Sequence, residues 1–165
     1  MDGISISEWS NYLAVQGEAA ATLTGLVFVA VSINLMRVIS IPGLTGRAAE
    51  SLIQFFGVLV ISTTALVPQK TMVMLGAEIL ALGAALWLFQ TWLQVRYVRL
   101  RTGHPRHWVV TRVVQTQFTT VPLMACGALL LSGSPAGFYW LALGLTLSLI
   151  AGVASAWVLL IEILR

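Results

Sequence analysis

The sequence predicts an all-α integral membrane bundle of five transmembrane helices. Three observations carry this reading. Of 165 residues, 58% are hydrophobic and only 9% charged, with a mean hydropathy of +0.92. A soluble domain carries roughly 25% charged residues. The apolar residues fall into five runs, each near the length of about 20 residues that crosses a bilayer core. The arginines then collect on one side of those runs, as cytoplasmic loops require. This composition excludes a soluble globular domain, a disordered chain and a disulfide scaffold. Five spans leave room only for short connections, so the chain reads as a single transmembrane domain.

Taken in order, residues 1–16 are mixed in polarity, with Trp9 and Tyr12 among them. They read as a short interfacial helix lying at headgroup depth. No Lys or Arg precedes Arg37, so the first apolar run reads as a retained span and not as a cleaved signal. That span covers residues 17–38, through ATLTGLVFVAVSINLM. Ile41-Pro42-Gly43 punctuates its end, because Pro lacks a donor and Gly tolerates unusual backbone angles. The second span covers residues 49–67 and closes at Pro68. The third covers 71–95 and the fourth 109–131. The fifth covers 136–161, with Ser134 as N-cap and Pro135 at the first helical position.

Eight of the nine basic residues fall on one side of such a bundle: Arg37, Arg47, Arg96, Arg99, Arg101, Arg106, Arg112 and Arg165. Only Lys70 falls on the other. The expected orientation is therefore N-terminus outside and C-terminus cytoplasmic. Trp9, Tyr12, Tyr139 and Trp140 mark one interface and Trp92, Tyr97, Trp108 and Trp157 the other, a two-belt pattern.

Few residues could carry chemistry. Glu78 lies seven residues into the third span, roughly 10 Å deep at about 1.5 Å per residue. A carboxylate at that depth must be paired, hydrated or protonated, and is a candidate proton or cation site. Glu18 opens the first span and is a second candidate, or simply a carboxylate suited to a helix N-terminus. A polar stripe on the second span, Glu50, Gln54 and Thr64, together with Gln115 and Thr119 on the fourth, reads either as an aqueous path or as helix–helix glue. Pro122 reads as a hinge or as a static kink, with the carbonyl of Phe118 left for Thr119 or Thr120 to satisfy.

Gly144, Ser148, Gly152 and Ala156 recur every four residues and form a small ridge for close helix packing. Ala77, Ala81 and Ala85 form a second. Arg96, Arg99, Arg101 and Arg106 form a basic run suited to anionic lipids or to a membrane-protein partner. His104 and His107 have no Cys or acidic companion, so no metal site is expected. No cofactor, catalytic motif or nucleic-acid interface is legible. Asp2 is the only Asp, which excludes an intramembrane Asp pair. A homo-oligomer is expected of so small a bundle.

The segments AAATLTGLVFVAVSINL (residues 19–35) and IPGLTGRAAESL (residues 41–52) resemble a group of small multi-spanning bacterial membrane proteins. The resemblance covers about the first third of the chain. It implies a bacterial inner membrane location and brings no activity or site residues. The expected function is channel-like or transport-like and non-enzymatic, proton- or cation-linked through Glu78. The alternative is a non-catalytic accessory subunit of a larger membrane complex.

Overall fold

The structure, a computed structural model, describes residues 6–41, 44–68, 71–100 and 106–164. All secondary structure in them is helical: α1 (Ile6–Ile33), α2 (Leu35–Ser40), α3 (Leu44–Leu66), α4 (Met72–Leu100), α5 (Arg106–Leu131) and α6 (Gly137–Leu164). Among the described residues, five helices are long and apolar enough to cross a membrane: α1, α3, α4, α5 and α6. The predicted fold class is therefore the observed one.

The element boundaries differ from the sequence reading in instructive ways. Residues 6–16 are not a separate interfacial helix; they are the first turns of α1. Nothing between Tyr12 and Ala19 breaks a helix, and Gln16 Nε2 donates to Tyr12 Oη one turn back at 3.0 Å. The break comes instead at Asn34, inside the expected first span. Its side-chain amide donates to the Ala30 carbonyl at 2.9 Å, competing with the backbone ladder as Asn does. The chain then makes the short α2 and stops at Ile41, whose extended backbone (φ −92°, ψ 118°) is what a residue preceding proline is driven to adopt.

At the other ends, capping chemistry decides. Thr71 Oγ1 accepts the Met74 backbone N–H at 3.3 Å, satisfying one orphan donor at the start of α4. α5 ends on Gly133, whose φ of +76° needs a residue without Cβ. There Gly133 N–H bonds the Leu130 carbonyl and Ser134 N–H bonds that of Leu129, both at 3.0 Å, the paired bonds of a Schellman motif. Ser134 and Pro135 then form turns accepting from Gly137 and Phe138, so α6 proper begins at Gly137.

The chain divides into two compact units, Pro68–Leu147 and Ser5–Val67 with Ser148–Arg165. In the first, α4 and α5 run antiparallel against each other. In the second, α1 packs on α3, and the C-terminal half of α6 joins them. The core of that second unit is built on two apolar clusters, with Ser51, Gln54, Ser62 and Ser155 also buried. Val27, Phe55 and Ala156 form one buried cluster; Val38, Leu44, Ala48 and Leu159 form another.

Candidate functional site

Two polar side chains of the fourth span, Thr116 and Gln117, meet polar partners in one place, the seam between α4 and α5. On α4 the residues that meet α5 are Gly76, Leu80, Gly83, Trp87, Gln90 and Gln94. Their alternating spacings of four and three are those of a coiled-coil stripe. At one end the seam is built from glycine. A Cβ on Gly127 would stand 2.7 Å from the Leu80 backbone nitrogen, and one on Gly76 would stand 2.7 Å from that of Leu131. The two backbones are therefore in direct contact there, as small residues permit in membrane bundles.

Along the seam the glycines give way to amides. Trp87 Nε1 donates to Gln117 Oε1 at 3.3 Å. Gln94 Nε2 donates to Thr116 Oγ1 at 2.6 Å and reaches the Arg112 carbonyl at 3.3 Å. Thr116 Oγ1 donates in turn to Gln90 Oε1 at 3.3 Å, and both Thr116 and Gln90 are buried. The result is a relay of neutral hydrogen-bonding groups from helix to helix. It contains donors and acceptors but no nucleophile–base pair. Sequence reasoning missed Gln90 and Gln94. The signal that finds them is a pair of repeats at intervals of seven, Gly76, Gly83, Gln90 and Leu80, Trp87, Gln94.

Pro122 is buried within an uninterrupted α5. Thr119 and Thr120 do not cap the Phe118 carbonyl, contrary to expectation. Both hydroxyls donate to the Thr116 carbonyl, at 3.0 and 2.7 Å. A helical Thr reaches the carbonyl three or four residues back, and Phe118 lies only one or two back from these residues. Thr119 is thereby committed to the turn before the proline.

The other candidates stand as follows. Glu78 is half-buried on α4. It lies two residues from both Gly76 and Leu80, so at 100° per residue it is on the side of α4 away from the seam. Glu18 is exposed on α1 in the other unit, and its carbonyl accepts from Thr22 Oγ1 at 2.9 Å. Gln54 is buried in α3, while Glu50, Thr64 and Gln115 are half-buried.

The small ridge of α6 is buried along its whole length, at Gly144, Ser148, Gly152 and Ala156. Leu123 of α5 seats over Gly144 and Phe55 of α3 over Gly152. The ridge thus serves packing within the chain. The alanine ridge does not: Ala77, Ala81 and Ala85 are exposed. The stripe that meets α5 lies one residue away, at Gly76 and Gly83, a rotation of about 100°.

Of the basic run, Arg96 is exposed and its guanidinium lies 5.3 Å from the Trp92 ring centre. Trp92 stacks on Phe89, with centroids 6.1 Å apart. This aromatic–cation step on one face of α4 suits a membrane–water interface. Arg101 and the side chains of Arg99 and Arg106 lie outside the described residues. Among the described residues, no three His, Cys, Asp or Glu side chains gather as a metal site would require. No family model, curated protein or solved structure matches the chain.

Proposed function

We propose that this multi-pass membrane protein acts as a non-catalytic accessory or modulator subunit of a larger membrane complex, in a bacterial inner membrane. The observation that supports it is the state of the polar residues. Five of those on α4 and α5 bond one another across the seam, in the Trp87–Gln117 and Gln94–Thr116–Gln90 hydrogen bonds. In a bilayer such bonds fix helix packing, and hydrogen-bonding groups so engaged have less left to offer water or a passing ion. The arginine bias orients the basic run to the cytoplasm, where it would meet anionic lipid or a partner.

A second reading, a small proton- or cation-linked transporter, rests on Glu78. An ionisable group inside a membrane span is a functional candidate by default, and Glu78 is not on the hydrogen-bonded seam. One experiment separates the two. Purified protein in liposomes should pass neither protons nor cations, and Glu78→Gln should behave as wild type. Flux that falls in Glu78→Gln would favour the transport reading and overturn the accessory one. Gentle-detergent isolation from the native membrane supplies the positive test: a stoichiometric foreign partner is expected, and a pure homo-oligomer counts against the proposal.

A further inference from the structure

The unit formed by α1, α3 and the C-terminal half of α6 carries an open apolar cavity of about 200 Å³. Leu23, Val27 and Ala30 of α1 form one wall, Ala156 and Trp157 of α6 the other, and Phe55 of α3 the floor. The lining is almost wholly apolar, and apolar cavities of this scale stay dry and take apolar guests. The floor is fixed, since Phe55 is fully buried against Gly152. The rim is open: Leu26 and Trp157 are among the exposed side chains. All these residues belong to helices long and apolar enough to span a membrane. The medium at the mouth of the groove is then lipid.

The groove also has a charged end. Just past the break at Asn34 that ends α1, α2 presents Arg37 as an exposed cation. Apolar side chains flank it on the surface: Ile33, Leu35, Met36 and Ile39 are all exposed. Such a segment sits with its apolar groups in the acyl region and its guanidinium at the phosphates. Val38, beside Arg37, packs in one cluster with Leu159, which lines the groove. An apolar slot leading to a cation matches a molecule with an acyl chain at one end and a negative headgroup at the other.

We infer that this groove is a binding site for one acyl chain of an anionic phospholipid, with Arg37 holding its phosphate. Neither the α4–α5 seam nor Glu78 takes part, so the site is independent of the accessory reading. Glu162 lies near the same end of α6, and a carboxylate there would oppose the headgroup.

The test is native mass spectrometry of the full chain released from vesicles of phosphatidylglycerol or of phosphatidylcholine. Wild type should retain one lipid, with phosphatidylglycerol preferred. Arg37→Gln should reduce that preference about fivefold, the weight of roughly one interfacial basic charge, and Glu162→Gln should increase it. Two groove-filling variants, Ala30→Trp and Val153→Trp, should lose about tenfold in retention of both lipids. Val153 is exposed at the rim, so its variant is expected to fold even if Ala30→Trp does not. Unchanged retention in Val153→Trp would overturn the proposal. So would a wild-type dimer that this variant dissolves without loss of lipid, because the groove would then hold a second copy of the chain.

Discussion

The α4–α5 pair and the α1–α3–α6 cluster solve the same problem with different materials. α4 and α5 meet backbone to backbone at Gly76 and Gly127, and side chain to side chain through Gln90, Gln94 and Thr116. The other unit is filled by apolar side chains, with Phe55 seated on Gly152 and Val27 and Ala156 beside it. Several of its hydroxyls bond their own helix: Thr22, Thr24, Ser32 and Thr63 each donate to a carbonyl one turn back. Lipid tails are as apolar as leucine, so burying leucine provides little drive for helices to associate in a membrane. What remains is fit and hydrogen bonding. One unit shows both on a single seam; the other shows fit most plainly, at Phe55 and Gly152.

The comparison breaks first at Gly127. Gly127→Ala places a methyl against the backbone of Leu80, which no rotamer change can relieve. The two helices must separate, and a loss at the upper end of about 1–3 kcal/mol is expected. Reversible unfolding in detergent micelles measures it, and no substitution at the Leu80 side chain should restore stability.

Gly152→Ala meets a ring instead of a backbone, since its Cβ would stand 2.5 Å from Phe55 Cε1. Its cost should fall lower, about 1–2 kcal/mol. Here a partner substitution should help. Phe55→Leu in the Gly152→Ala background is expected to recover part of the loss, where Phe55→Leu alone destabilises by opening a cavity. If the double variant is no better than the sum of the singles, ring and glycine are not opposed as described.

The smallest effect belongs to the hydrogen bond. Gln94→Leu and Thr116→Val combined in a double-mutant cycle should show a coupling near 0.6 kcal/mol, the average for such bonds between membrane helices. A coupling of zero would make the amide relay incidental and leave the glycines to hold the seam alone.

How much of this was legible varies by residue. Spans were readable because length and hydropathy suffice to define them: the five expected runs are the five long helices. Caps were partly readable. A start near Ser134–Pro135 was expected, though as an N-cap opening the helix directly, whereas the cap at Thr71 and the break at Asn34 did not stand out. Facing was not readable. In a soluble helix the polar side marks solvent, but at its glycine end α4 carries small apolar residues on both its exposed and its packed sides, so Ala77 and Gly76 looked equally suited to a ridge. The expected site was legible as a set of residue types and not as a constellation. Gln115 and Thr119 were singled out, yet the side chains that bond α4 are their neighbours Thr116 and Gln117.

The sequence by itself determined that this chain is a helical membrane protein and how many helices are long enough to cross, and it marked roughly where most of them end. Those properties depend on residues close together along the chain: an apolar run, a proline, a glycine with positive φ. Only the tertiary structure decided which stripe of α4 meets α5, that the ridge of α6 is filled by Leu123 and Phe55, and that Thr119 and Thr120 both turn to Thr116. It also decided that α1 and α6 leave a groove between them over Phe55. Those depend on shape and on short-range hydrogen bonds between distant segments. A hydropathy pattern carries no trace of either when core and solvent are equally apolar.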